Sequence, residues 1–454
     1  MLQGSKPYLT IIGGGLAGSE AALQAASAGI DVHLYEMRPQ KNTGAHRSDK
    51  FAELVCSNSL GSRLMDRPAG LLQAEMHRIG SFLLRFAEET SIPAGGALAV
   101  DRELFSTRVS QAIESHPNIK IFRSEVTEIP RSPVIIASGP LTSPALSSHL
   151  SAVFGQENLF FFDAIAPIVL ADSINMEVAF RASRFRRGIN QDGDYINCPF
   201  TLEQYDRFLE ALLAADKIPL HDFDTPVLSG VKAGKSSYFE GCLPIEVLAR
   251  RNRLALTYGP MRPIGLRDPR TGQRPYAVCQ LRQDNLAGTL YNLVGFQTNL
   301  TYQEQKRVFR LIPGLEKAEF IRFGQIHRNT YLASPLILNP TLQTKCFPDI
   351  FLTGQICGIE GYLGNIATGM LAGINATRFI QGKPLLIFPT TTMLGALCHY
   401  ITHASLHDFQ PMKANYGILP PLPDPPKGRI ERSLAYRSCS LQALEQYLNQ
   451  ELKA

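Results

Sequence analysis

The six residues Gly13-Gly-Gly15-Leu-Ala-Gly18 confine this chain more than any other stretch of its sequence. They follow Tyr8-Leu-Thr-Ile-Ile12, a short apolar run that reads as a buried strand. They lead into Ser19 to Ala28, rich in good helix formers, which Gly29 ends. Ile30-Asp-Val-His-Leu-Tyr35 is a second strand, and Glu36 stands at its C-terminal end. Strand, glycine turn, helix, strand is a βαβ unit with a right-handed crossover. As a bare pattern Gly-x-Gly-x-x-Gly is weak, but here every neighbour fits a dinucleotide site. Gly13 permits the tight turn, Gly14 lies within it, Gly15 lets the backbone approach a pyrophosphate, and Gly18 allows close helix–strand packing. The helix N-terminus offers free N–H groups to the phosphates. Glu36 is placed to accept ribose hydroxyls.

A second element returns late in the chain. Ile350-Phe-Leu-Thr353 is a buried strand closing on Gly354-Gln355, followed by Gly358, Gly361-Tyr362, Asn365 and a small-residue helix over Ala367 to Ile380. A late strand–glycine–helix of this kind can return backbone N–H groups to a flavin. The expected fold is therefore α/β: an FAD-binding, Rossmann-like domain of the two-dinucleotide-fold flavoprotein type, with an inserted α+β domain. The expected boundaries are 1–170 for the first part of the FAD domain, 171–345 for the insert, and 346–454 for the second part with a C-terminal tail. A second nucleotide domain is the alternative. Between these landmarks, 71–90 reads as a helix broken near Gly80. Residues 119–129 alternate like strands, Val134–Ala137 is a buried strand, and Ser440–Leu452 is a terminal helix.

The chain has 454 residues and is 44% apolar, enough for two or three domains and a sizeable core. No run approaches the roughly 18 apolar residues that span a bilayer. Met1–Tyr8 lacks the features of a signal peptide, so a reducing cytoplasm is expected. The 8 cysteines are scattered without a Cys-x-x-Cys pair, which excludes a zinc ribbon. His399 and His403 have helical spacing but no acidic partner between them, so no metal site is expected. Two cysteines lie in loops with an active character. Cys56 sits in Glu53-Leu-Val-Cys-Ser-Asn58, and Cys242 in Phe239-Glu-Gly-Cys-Leu-Pro244 with Arg250 and Arg251 following. The formal charge is +5, and the excess lies in the middle: residues 171–345 hold 23 Lys and Arg against 17 Asp and Glu. That segment is suited to a polyanion.

Over nearly its full length the chain resembles the folate- and FAD-dependent tRNA (uracil-5-)-methyltransferase family. The resemblance runs through Ile11–Ala22 with Glu36-Met-Arg-Pro39, Glu53–Leu60, and Pro93-Ala-Gly-Gly-Ala-Leu-Ala-Val-Asp-Arg102. It continues through Tyr195-Ile-Asn-Cys-Pro199, Phe239–Arg251, Gly259-Pro-Met-Arg-Pro263, Gly295–Leu300 and His327-Arg-Asn-Thr330. Gly354-Gln355, Gly358–Tyr362 and Phe409-Gln-Pro-Met412 complete it. Two positions depart from it: Gly61, where Arg is expected, and Gly364-Asn365, where many members carry Glu-Ser.

The resemblance implies methylation of C5 of the T-loop uridine of tRNA (uridine 54). The one-carbon donor is 5,10-methylenetetrahydrofolate, the reductant is reduced FAD, and NADH or NADPH reduces the flavin. Each part answers a chemical need. Uracil C5 is a poor nucleophile until a thiolate adds to C6, a base must remove the C5 proton, and a hydride equivalent must turn methylene into methyl. Cys242 is the expected C6 nucleophile and Cys56 the second active-site thiol, base or transient partner, with the two roles exchangeable. Gly13, Gly14, Gly15, Gly18, Glu36, Gly354, Gln355, Gly361, Tyr362 and Asn365 are the expected cofactor residues. Arg184, Arg186, Arg187, Arg250 and Arg251 are the expected RNA contacts, and no obligatory protein partner is expected. The rival readings are the same chemistry on ribosomal RNA, a wobble-uridine relative, a plain NAD(P)H-dependent flavin oxidoreductase, and a non-enzymatic RNA-binding flavoprotein.

Overall fold

The computed structural model describes all residues but 1–6, 132, 156–158, 189, 191, 219–230, 233–242 and 452–454. Five strands form one parallel sheet, in spatial order Ile350–Leu352, Val134–Ile136, Tyr8–Ile12, Asp31–Tyr35 and Ile119–Phe122. Apolar runs such as Val134-Ile-Ile136 are buried throughout, as a strand covered on both faces demands. Chain order reverses on either side of Tyr8–Ile12, so its C-terminal end is the topological switch point where such sheets bind ligands.

The late helix Tyr362–Ile380 lies across the first helix, Leu16–Ser27. Its small residues make that crossing possible. A Cβ on Gly369 would stand 2.3 Å from the Ala17 carbonyl oxygen, and one on Gly373 would stand 2.7 Å from that of Ala21. One hydrophobic core accordingly joins residues between Leu9 and Leu150 with residues between Tyr331 and Leu444.

The middle of the chain has its own core, from Val169 to Ala318. It packs under a six-stranded antiparallel sheet ordered Phe180–Ala182, Tyr195–Phe200, Ala277–Gln283, Leu290–Leu293, Ile168–Leu170 and Phe320–Arg322. Leu159–Ala164 pairs with Ile326–Tyr331 in a separate small sheet. Leu159–Ala164 and Ile168–Leu170, which follow the helix Pro144–Phe154, thus pair with later strands and not with the parallel sheet.

The helix expected over 71–90 is two, Pro68–Ile79 and Phe82–Glu89, separated at Gly80 with φ +100°. Only Ile119–Phe122 of the alternating stretch 119–129 joins a sheet; Val126 and Ile129 rest against the core without a ladder partner strand. The terminal helix is longer than expected, Arg429–Glu451. It is tied to the body through the buried Glu75, which accepts from Ser440 Oγ and from the Met393 and Leu394 N–H groups at the start of another helix. Among the described residues no helix is long and apolar enough to cross a membrane.

Candidate active site

A cleft of about 1020 Å³ opens at the switch point. The ends of three parallel strands line it through Ile12, Tyr35 and Ala137, and the late segment contributes Gly354, Gln355 and Tyr362. The glycines have separate structural tasks. Gly13 has φ +104°, and a Cβ there would lie 2.5 Å from the Ala137 carbonyl oxygen. A Cβ on Gly18 would stand 1.8 Å from the Gly13 carbonyl oxygen, so only glycine lets this helix lie on this turn. Gly15 differs, because a Cβ there would meet no protein atom within 4 Å and would project into the cleft it lines. Gly14 backs onto the Phe51 ring and donates its N–H to Glu36 Oε2 at 3.0 Å. Gly361, with φ +85°, is the N-cap of the late helix.

Two helices start at this cleft, at Leu16 and Tyr362, and neither has a side-chain cap. Their first N–H groups therefore need another acceptor, and their dipoles favour a negative one. Asn365 lies in the first turn of the late helix and lines the cleft; its buried Oδ1 has no hydrogen-bond partner among the described residues. The cleft thus presents glycine-walled space, two uncapped helix starts and one orphaned acceptor. That donor and acceptor set suits an anionic, hydrogen-bonding dinucleotide.

Glu36 lines the cleft, but its oxygens are occupied. Oε1 accepts from the Arg38 N–H and Nε, and Oε2 from the Gly14 N–H and Arg38 Nη2. A carboxylate has about four acceptor positions, so ribose hydroxyls would have to displace Arg38. Burial pushes the Glu36 carboxyl up, but the hydrogen bonds and charge of Arg38, with the Gly14 N–H, outweigh it and hold it below the ordinary range. Arg38 is fully buried and reaches on to Ser48 O and Glu53 Oε2. Burial, with the charge of Arg38 beside it, pushes the cleft residue His46 down to about 4, so it is neutral at pH 7.

Cys56 is half-buried and follows Val55, which lines the cleft; its N–H donates to Oη of the cleft residue Tyr362 at 2.8 Å. Three arginines surround its loop. Arg102 donates to the Leu54 and Cys56 carbonyls, Arg322 to the Val55 carbonyl, and Arg282 to Ser57 Oγ and Asn58 Oδ1. Their field has the sign that holds an anion. None of the three was among the expected site residues; the signal for Arg282 was a charge inside the apolar strand run Ala277–Gln283.

Cys242 lies outside the described residues. Arg186, Arg187, Arg250 and Arg251 are exposed. Arg184, another expected RNA contact, is half-buried and donates inside the protein, to Gln280 Oε1 and the Arg262 and Ile264 carbonyls. Beside it Phe185, at φ +56° and 62% exposed, stands on Gly265 with Arg187 over its ring, and Tyr258 is 77% exposed. Sequence reading missed these aromatics. His399 and His403 stack on one another, with ring centroids 4.1 Å apart, and no group of potential metal ligands occurs among the described residues.

The family model for Glucose inhibited division protein A matches residues 8–384. A Halalkalibacterium halodurans protein named Methylenetetrahydrofolate–tRNA-(uracil-5-)-methyltransferase TrmFO is 51% identical over 445 residues, covering 98% of this chain and 99% of its own. A Pelotomaculum thermopropionicum protein of the same name is 54% identical over 438 residues, covering 96% and 97%. Among solved structures, Aquifex aeolicus GidA superimposes with a TM-score of 0.66 at 16% identity, over 98% of this chain and 76% of that one, a likeness of fold.

Proposed function

The chain belongs to the methylenetetrahydrofolate–tRNA-(uracil-5-)-methyltransferase TrmFO family, and from that premise we propose how its residues divide the work. The enzyme transfers a one-carbon unit from methylenetetrahydrofolate to C5 of a tRNA uracil, here assigned to the T-loop uridine. The observation that carries the reading is the meeting of the dinucleotide cleft with a thiol-bearing loop, through the Cys56 N–H and Tyr362 Oη.

FAD fits the cleft. Gly15 leaves room for the pyrophosphate, and the helix starts at Leu16 and Tyr362 supply N–H groups to its anionic and polar atoms. Asn365 Oδ1 offers an acceptor near Gly354 and Gln355. Bound and reduced at the expense of NADH or NADPH, the flavin supplies the hydride equivalent that makes methyl from methylene. The protein's own part concerns the uracil. The Cys242 thiolate adds to C6, and the C5–C6 electron pair becomes an enolate on the ring. C5 then bonds to the folate-borne carbon as the first of that carbon's two carbon–nitrogen bonds breaks, its electron pair returning to the folate nitrogen. A base takes the C5 proton as the second carbon–nitrogen bond breaks and tetrahydrofolate leaves, which makes an exocyclic methylene on the ring. That methylene accepts the hydride equivalent and becomes methyl, and the C6–sulfur bond breaks as the C5–C6 double bond reforms. Cys56 acts there as base or transient partner. The target uridine must leave its stack to reach these groups.

The protein incubated with methylenetetrahydrofolate, NAD(P)H and unmodified tRNA is expected to yield 5-methyluridine. Product with ribosomal RNA alone would move the reading to that substrate. Flavin reduction with neither product would leave an oxidoreductase. On tRNA carrying 5-fluorouridine the wild-type chain is expected to form a covalent adduct stable to denaturation, and Cys242→Ala is expected to form none. An adduct on Cys242→Ala that Cys56→Ala abolishes would exchange the two roles.

The exposed Arg186, Arg187 and Phe185, with Arg187 over the Phe185 ring, are offered to tRNA. Affinity should fall steeply with salt, and removing Arg186 and Arg187 together should lower the slope of log K against log salt by about 2. Phe185→Ala should cost about 1–3 kcal/mol of tRNA binding if the ring stacks on a base. A filter-binding salt titration measures both.

A further inference from the structure

We propose that Arg282 and Arg322, both carried by the inserted sheet, are positioning residues for Cys56. This rests on Cys56 being an active-site thiol. Strand register puts both arginines where they can act. Tyr195, Arg282, Asn292, Ile168 and Arg322 stand in one row across five neighbouring strands. The residues between them along the strands, including Ile196, Leu281, Leu293 and Val169, belong to the core of the insert. Side chains alternate between faces, so the row turns away from that core. It meets the domain that holds the cleft.

What it meets is the loop 54–58, anchored at every residue. Arg102, on the cleft domain, holds the Leu54 carbonyl at 2.6 Å and the Cys56 carbonyl at 2.9 Å. Arg322 holds the Val55 carbonyl at 2.8 Å. Arg282 holds Ser57 Oγ and Asn58 Oδ1, each at 2.8 Å. Asn58 Nδ2 returns a bond to the Gln283 carbonyl at 2.9 Å. Even Arg102 is oriented from the insert, where its Nε donates to both Asp284 oxygens at 2.9 and 3.0 Å. The loop is therefore hung between two domains, and toward the cleft the Cys56 N–H donates to Tyr362 Oη. Docking of the insert sets where the sulfur stands. The same guanidiniums also surround the thiol with positive charge.

The test uses the full chain with its flavin. Arg282→Gln and Arg322→Gln are made, and Cys56 alkylation by iodoacetate and by iodoacetamide is followed by peptide mass spectrometry across pH. Expected in each variant are retained flavin, a higher pH midpoint for Cys56 alkylation, and a smaller preference for anionic iodoacetate. A kcat for tRNA methylation lowered about 10- to 100-fold at nearly unchanged KM should accompany them, the scale of a displacement near 1 Å. Arg282→Lys should restore the iodoacetate preference but not kcat, because the ammonium keeps the charge and loses the fork. Wild-type alkylation profiles and kcat in both Gln variants would overturn the proposal. If Arg282→Gln does not fold, Ser57→Ala removes one of its two anchors from the loop side and is read by kcat at nearly unchanged KM, with the iodoacetate preference kept because the guanidinium remains. Cys56→Ala separates the premise. Full activity in that variant removes Cys56 from the reaction, whereas an inactive Cys56→Ala beside unaltered arginine variants sinks only the positioning role.

Discussion

Gly15→Val is expected to give a folded protein that purifies without flavin, its affinity for FAD lowered at least about 100-fold. Gly15 has φ −75°, an angle valine adopts freely, so the backbone offers no objection. Its Cβ would meet no protein atom within 4 Å and enters the cleft instead, beside the uncapped helix start. A pyrophosphate there would lose its approach to those N–H groups, which are worth most where charge is concentrated. The apoprotein should unfold within about 1 kcal/mol of flavin-free wild type, the cost of a poorer N-cap residue. Gly18→Val is the contrast. Its first carbon would stand 1.8 Å from the Gly13 carbonyl oxygen and 3.2 Å from Ala137 Cβ, so helix and strand must separate. That variant should lose several kcal/mol and express poorly, as overpacked sites do. Visible flavin absorbance and urea unfolding read both variants. Flavin retained by Gly15→Val at wild-type stoichiometry would remove the cofactor from this cleft.

The difference between these glycines also explains what the sequence disclosed. Gly18 acts on the Gly13 backbone and Gly15 on the helix start that follows it, so their spacing carries their geometry, whereas Gly13 also clears the Ala137 carbonyl at the end of a distant strand. The late helix was visible as a run of small residues, but its reason, the approach of Gly369 and Gly373 to Ala17 and Ala21, joins segments some 350 residues apart and has no local trace. Arg282 and Arg322 are hidden in the same way, since they reach the Cys56 loop across 225 and 267 residues. Arg184 was read as a surface contact because its neighbours are arginines, yet it is the one that folds inward onto carbonyls. Glu36 is a different case, because its partner was within reach of sequence reasoning. In extended chain, residues two apart share a face, and Arg38 follows Glu36 at that spacing. Attention to a ribose hid an ion pair written beside it.

That ion pair carries the second large effect. Arg38→Met is expected to destabilise the protein by about 3–5 kcal/mol, because it removes one partner of a buried ionic network and leaves the others charged. Arg38 is 1% exposed and ties Glu36 at 2.9 Å to Glu53 at 3.2 Å. Glu53 in turn accepts from the Arg47 and Ser48 N–H groups, which shapes the loop closing that side of the cleft. In the variant the guanidinium's bonds and charge are gone, so burial acts on Glu36 against only the Gly14 and residue-38 N–H groups, and its carboxyl rises from the lowered wild-type value. The sign of the pH dependence follows. A lowered folded pKa contributes stability that is present in full above the unfolded value near 4.5 and is lost as pH falls through the folded value. The gap between wild type and Arg38→Met should thus be widest near pH 7 and shrink in acid below 4.5. The double variant Glu36→Gln with Arg38→Met should recover part of the loss, since it no longer strands the Glu36 charge. Urea unfolding at neutral and acid pH measures all three. A loss under about 1 kcal/mol for Arg38→Met at pH 7, with no narrowing in acid, would mean that Glu36 and Glu53 find other partners and that the pair does not hold this wall of the cleft.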